Sequence, residues 1–378
     1  MIPLSVPNIS GNEWQYIKDC LDTSWVSSVG SYVDQFERVT AEYTGAKYAV
    51  ATSNGTSAIQ IALMLAGVKT NDLVIAPNIT FVASINAIKY TGAKPILIDI
   101  DYDTWQMDVD LLEDFLINNT FVENSMCFHK ATHQIIRAIL PVHVLGNICD
   151  MDKLMFLANQ YNLHVVEDST EALGSYYKGK HAGTFGLLGT LSYNGNKLIT
   201  TGGGGMVLTD DEDLAKKAKH LTTQAKAKPD EYFHDEIGYN FRLVNVLAAM
   251  GVAQMEQLTT FLKRKSEITA FYNARLSKIE GFVNQKILVD VNPNYWLYTI
   301  KIPRAKSLLA HFKNLAIEAR PFWVPMNQLP ANENDLYFTK TDVSNQIYDT
   351  CISLPCSTNI TDEQLEIVVK HIEQFYGI

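Results

Sequence analysis

Uninterrupted apolar runs that alternate with amphipathic stretches constrain this chain more than any other feature. KYAVATS (47–53), DLVIAP (72–77), KPILIDI (94–100), RAILPVHV (137–144) and LHVVEDS (163–169) are apolar blocks bounded by polar or turn-forming residues. A strand with one wet face alternates apolar and polar positions, whereas a block of this kind predicts a strand buried on both faces. Between the blocks lie segments of helical periodicity, among them Ser57 to Ala66 and Met151 to Tyr161. Over roughly the first 250 residues the alternation predicts an α/β fold, with a mostly parallel central sheet flanked by helices and joined by right-handed crossovers.

The pattern then changes. Asn245 to Leu262 reads as a long helix with Leu247, Met250, Leu258 and Phe261 on one face, continued by the charged run KRKSE at 263–267. Strand-like segments follow at Trp296 to Ile302 and Ala316 to Phe322, and a closing helix starts at Thr361, where Thr361 and Gln364 make a capping-box pattern. The expected division is a large α/β domain over 1–250 and a small C-terminal α+β domain over 251–378, the connecting helix included. The 378 residues suffice for two cores.

Composition removes several classes of function. A net charge of −10 argues against a protein that neutralises a nucleic-acid backbone. The five cysteines are odd in number, dispersed and free of any CxxC pair, so neither a disulfide framework nor a zinc site is expected, and they read as reduced thiols. His129 and His133 mimic a metal pair at i and i+4, but no third ligand accompanies them and a solvated loop is the better reading. No apolar stretch of about 18 residues occurs, and MIPLSVPNIS lacks the basic and apolar regions of a signal peptide, so we expect a cytoplasmic protein with no membrane contact.

Three segments carry chemistry. In SYNGNKLITTGGGGM (192–206) a single lysine, Lys197, sits between small polar residues and four glycines. A lysine held in a dry site loses proton affinity and becomes a usable nucleophile, while the glycines allow close backbone approach to a ligand; a plain surface turn has the same composition. LHVVEDSTEALGS (163–175) delivers Glu167, Asp168 and Glu171 to the carboxyl end of a strand, the edge at which open α/β sheets bind ligands. An aspartate there suits a protonated ring nitrogen, or merely caps the next helix. TSNGTSAIQIAL (52–63) places Asn54, Gly55, Thr56 and Ser57 between a strand and an apolar helix, which suits a phosphate and serves equally as an ordinary N-cap.

Taken together, NGTSA (54–58), TFVAS (80–84), HVLGNICDMD (143–152), VVEDSTEALGS (165–175), SYNGNK (192–197) and GYNFRL (238–243) resemble the pyridoxal-phosphate (PLP) aminotransferases of fold type I, specifically the DegT/DnrJ/EryC1/StrS sugar aminotransferases. The resemblance covers nearly the whole chain. It implies that Lys197 bonds to the cofactor and moves the proton, and that Asp168 pairs with the pyridinium nitrogen. It further implies that Ser192 and the backbone at Gly55, Thr56 and Ser57 hold the phosphate, and that Phe81 stacks on the cofactor ring. Asn240 would reach the phosphate from the neighbouring subunit of a homodimer with a shared active site. Glu171 stands near the ring hydroxyl where many members carry Gln or His, so a donor role there needs a protonated or rearranged carboxyl. Met326 and Asn327 replace the pattern in which a histidine follows the proline, which blocks transfer of sugar-contacting residues.

The implied reaction moves an amino group from glutamate, through PLP and its pyridoxamine form, to C4 of a nucleotide-linked 4-keto-6-deoxy sugar. WVSSVGSYVDQFE (25–37), together with SYNGNKLITTGGGGM (192–206) and HDEIGYNFRL (234–243), is most similar to the subgroup acting on UDP-2-acetamido-2,6-dideoxy-4-ketohexose in bacillosamine or legionaminic acid pathways. Two alternatives stand beside it. One is a pyridoxamine-phosphate-dependent sugar dehydratase of the same fold, which Lys197 opposes because those enzymes resemble this chain with histidine at that position. The other is a non-catalytic phosphate- or nucleotide-binding module using only the Gly55 to Ser57 cradle. GSYYKGKH (174–181) has phosphate-loop spacing, but His181 replaces the hydroxyl residue that motif needs.

Overall fold

The computed structural model describes residues 1–228 and 230–378. Seven strands form the body of a ten-stranded sheet: β1 (Tyr48–Thr52), β2 (Leu73–Pro77), β3 (Lys94–Ile98), β4 (Ile135–Ile139), β5 (His164–Asp168), β6 (Leu188–Ser192) and β7 (Gly205–Thr209). Their order across the sheet is β1-β7-β6-β5-β4-β2-β3. Only β7 runs against its two neighbours; every pairing from β6 through β3 is parallel. The hairpin Thr120–Glu123/Met126–His129 extends the sheet beside β4, and Leu336–Phe338 adds a parallel strand outside β3.

The apolar blocks are explained by where their side chains go. Along β2, Leu73 and Ile75 enter one core while Val74 and Ala76 enter the other, and along β3 Ile96 and Ile98 oppose Leu97 in the same way. Successive side chains of a strand point to opposite faces, so a strand with two covered faces must be apolar throughout. Helices supply the cover. Gly55–Leu65 packs on one face, capped by Asn54, whose side chain accepts the Ser57 N–H at 2.8 Å. Met151–Gln160 packs on the other, capped by Asp150.

A third core belongs to the C-terminal part, built on the four-stranded antiparallel sheet of Val283–Asn284, Tyr298–Lys301, Cys351–Leu354 and Arg320–Pro321. The closing helix Asp362–Tyr376 begins on the expected Thr361–Gln364 capping box. The long helix runs unbroken from Asn245 to Leu276, through residue 250 and well past Leu262. Ile2 joins the C-terminal core, so the N-terminus lies against it.

Four local expectations are corrected. RAILPVHV is a shorter strand that ends at Ile139, because Pro141 has no N–H for a ladder and the chain then turns through Val144–Gly146. The 316–322 strand shrinks to Arg320–Pro321, and 296–302 to Tyr298–Lys301. His129 is not in a solvated loop: it closes the hairpin strand, buried against Phe115, with its Nδ1 3.0 Å from the Thr132 hydroxyl. All five cysteines are buried and unpaired. Among the described residues no helix is long and apolar enough to cross a membrane.

Candidate active site

The carboxyl ends of β1, β5 and β6 open on one cavity of about 410 Å³, closed from above by Trp296 and the Arg320–Trp323 segment. Asp168, the last residue of β5, is buried at its floor. One of its carboxylate oxygens accepts the Ser84 hydroxyl at 2.6 Å and the other the Thr170 N–H at 3.1 Å. Donors on both oxygens fix the orientation of the carboxylate. Glu167, one residue earlier, faces the opposite side of the sheet. It pairs with His143 at 3.0 Å and accepts the N–H groups of Gly183, Phe185 and Gly186, so it braces a loop behind the site.

Lys197 follows β6 by five residues and brings its amine into the same cavity, where burial pushes its pKa down from the ordinary lysine value against the pull of Glu171 and Asp168. The amine lies 4.0 Å from the centre of the Trp296 ring and 3.8 Å from Glu171 Oε1. Glu171 is buried, and loss of solvation drives its carboxyl up to about 7 despite the opposing Lys197 charge and the Leu145 N–H.

At the other end of the cavity the helix Gly55–Leu65 points its N-terminus inward beside Ser192, the last residue of β6. The approach is close enough that a Cβ on Gly55 would stand 2.8 Å from Ser192 Cβ, so only glycine fits. The Gly55 and Thr56 N–H groups have no acceptor among the described residues, and with the Ser192 hydroxyl they form an anion cradle at a positive helix end. Ser57 is placed differently. Its N–H is taken by Asn54, its hydroxyl bonds the Asn54 carbonyl at 2.9 Å, and it does not line the cavity. Of the four glycines only Gly202 has a positive φ, while Gly205 opens β7 with the Asn54 carbonyl 2.4 Å from where a Cβ would sit.

The structure thus gathers Gly55, Thr56, Phe81, Asp168, Glu171, Ser192 and Lys197 around one cavity. Phe81 stands at its mouth, just over half exposed. Asn240 lies outside it on an exposed stretch bridged to Thr223. Sequence reading passed over Ser84, Thr170, Leu145 and the capping role of Trp296. Ser84 had a signal, its place in the TFVAS motif; Trp296 lies in the apolar run read as the start of a strand. Among the described residues a single group of metal-ligating side chains occurs, His220 with Asp235 and Glu236; it is largely exposed, far in sequence from the cavity residues, and Lys217 already pairs with Glu236.

Comparison with known proteins decides the family. The model of the DegT/DnrJ/EryC1/StrS aminotransferase family matches residues 7–373. The chain belongs to that family. Its members are PLP-dependent sugar aminotransferases, and this chain is accordingly a PLP-dependent transaminase, which sets aside the non-catalytic binding module. It is 39% identical to a GDP-perosamine synthase of Escherichia coli O157:H7, covering 100% of this chain and 99% of the relative. It is 36% identical to EpsN of Bacillus subtilis, a putative pyridoxal phosphate-dependent aminotransferase, over 100% of this chain and 96% of that one. The ketimine complex of DesV from S. venezuelae superposes with a TM-score of 0.86 at 26% identity, covering 97% and 95% of the two chains. The UDP-sugar subgroup expected from the sequence is not the one named among the relatives: besides the Escherichia coli protein, two further relatives, from Caulobacter vibrioides and Vibrio cholerae, are GDP-perosamine synthases.

Proposed function

We propose that this transaminase moves an amino group from glutamate to C4 of a nucleotide-linked 4-keto-6-deoxy sugar. The observation that carries the reading is one largely buried lysine amine set between a doubly anchored aspartate and a helix-end anion cradle. These features fit PLP: Gly55, Thr56 and Ser192 would hold its phosphate, Asp168 would balance its ring nitrogen, Phe81 would cover a ring face and Lys197 would tether it. Bound there, the cofactor supplies an electron sink for the bond broken at the donor's α-carbon. Ser84 and Thr170 keep Asp168 oriented through that change. Trp296 and the buried walls exclude water from the Lys197 amine, which moves the proton at the donor α-carbon and at sugar C4.

A homodimer with a shared site is part of the reading. Asn240 is outside its own cavity, and the same stretch exposes Tyr232, Phe233 and Ile237, which suits a segment that reaches a second subunit. We also propose that the 1–250 and 251–378 parts act as two domains sharing the long helix, in a cytoplasmic enzyme. Two sugar substrates compete. The likeness of residues 25–37, 192–206 and 234–243 supports UDP-2-acetamido-2,6-dideoxy-4-ketohexose, of the bacillosamine and legionaminic acid type, whereas the relatives named GDP-perosamine synthase support a GDP-linked sugar. The test is to offer glutamate with each 4-keto-6-deoxy sugar nucleotide in turn and follow 2-oxoglutarate and the amino sugar by mass spectrometry. Turnover with one carrier is expected; release of a dehydrated sugar without an amine would favour the dehydratase, and inactivity with every 4-keto sugar would sink the proposal.

A further inference from the structure

The site holds two buried carboxylates, and they are built differently. Asp168 has a donor on each oxygen, Ser84 at 2.6 Å and Thr170 N–H at 3.1 Å, leaving it committed. Glu171 has one oxygen engaged, Oε2, by the Leu145 N–H at 2.8 Å. The other, Oε1, faces Lys197 Nζ at 3.8 Å and receives no hydrogen bond among the described residues. The scaffold behind this arrangement is costly. Leu145, a buried branched residue, is held at φ 62° in the left-handed region so that its N–H aims at Glu171, and Asn294 Nδ2 anchors the Glu171 carbonyl at 2.8 Å.

We propose that Glu171 is the proton partner of Lys197: its idle oxygen takes the proton that the ammonium must lose before the amine becomes a nucleophile, and keeps it inside the site. In this step an N–H bond of Lys197 breaks with its electron pair staying on nitrogen and an O–H bond forms on Glu171, so an ammonium and a carboxylate become an amine and a carboxylic acid. The flexible lysine chain closes the remaining gap. Trp296, 4.0 Å away, bounds the amine on one side, and the charged groups facing Glu171 are Lys197 and Asp168. Burial lifts the Glu171 carboxyl to about 7 and lowers the lysine, which brings the two titrations toward each other. The protonated acid is also the form able to donate to a ring hydroxyl. The inference rests on the reading of Lys197 as the cofactor lysine.

The test uses the full chain freed of cofactor. Lys197 is labelled with acetic anhydride across pH and read by peptide mass spectrometry, and infrared spectra report protonated carboxyl. The wild-type Lys197 half-point is expected below that of surface lysines. In Glu171→Gln it falls by at least about one pH unit, roughly tenfold in neutral amine at a fixed pH below it, and a protonated-carboxyl band present near pH 7 is lost. Glu171→Asp, which keeps the acid but withdraws it, gives a smaller shift and carries the test if the Gln variant does not fold. An unmoved half-point in either folded variant, or an unchanged band, overturns the proposal. Adding PLP in a separate arm separates the two claims: normal labelling shifts without any visible band would leave the proton pair standing and remove the cofactor reading.

Discussion

The floor and the wall of the cavity are built on opposite principles. On the floor, Asp168 is buried with donors on both oxygens, Ser192 abuts a glycine that tolerates no side chain, and the groups stand on the ends of parallel strands. The wall comes from the C-terminal part: Trp296 and Trp323 stack with ring centres 6.4 Å apart, and Arg320 projects exposed, with no ion-pair partner among the described residues. A floor with its polar groups tied down suits a ligand that never changes. A wall with an unsatisfied guanidinium suits ligands that come and go, as the two substrates of a transaminase must. Constancy and exchange are thus divided between the two cores.

Substitutions on the floor should therefore act on the cofactor and those on the wall on substrates. Lys197→Ala should have the largest effect, lowering kcat by on the order of a thousandfold or more and removing the visible absorbance of the lysine-bound cofactor. Asp168→Asn, which removes the carboxylate proposed to pair with the ring nitrogen, should cost about a hundredfold in kcat with a shifted cofactor spectrum. Gly55→Ala drives a methyl against Ser192; about 1–2 kcal/mol of overpacking would weaken PLP binding by roughly tenfold, measured by equilibrium dialysis. Arg320→Met should leave the cofactor spectrum intact and raise KM for an anionic substrate by roughly fivefold, the scale of one exposed charged hydrogen bond. A spectral change in that last variant, or a KM effect alone in the Asp168 variant, would break the division.

A pH effect sharpens the same contrast. Burial lowers the Lys197 pKa, so neutral amine is available at lower pH than for an ordinary lysine and grows as pH rises. Stopped-flow mixing with PLP should show capture accelerating from pH 6 to 9 in wild type. Arg320→Met should keep that slope.

The floor was legible in the sequence for a physical reason. The floor is built from local devices with local signatures: a capped helix N-terminus at Asn54 to Ser57, a strand end at Asp168, a lysine before glycines. Even there the backbone decided details that composition could not. Ser57 spends its N–H on the cap, and the period of two along β5 sends Glu167 behind the sheet while Asp168 enters the site. The wall was illegible because it is assembled from distant segments. Trp296 meets Lys197 across 99 positions of chain, and nothing near it in sequence tells a core tryptophan from one that caps an amine. The left-handed Leu145 is likewise invisible, since leucine is among the last residues expected there.

The central claim, that one tethered cofactor on the floor serves two successive substrates at the wall, is tested most directly by the absorbance of the purified protein with PLP. The account predicts a yellow band that glutamate bleaches and a 4-keto-6-deoxy sugar nucleotide restores, cycle after cycle. A protein that takes up PLP without forming that band, or whose band glutamate leaves untouched, would contradict it.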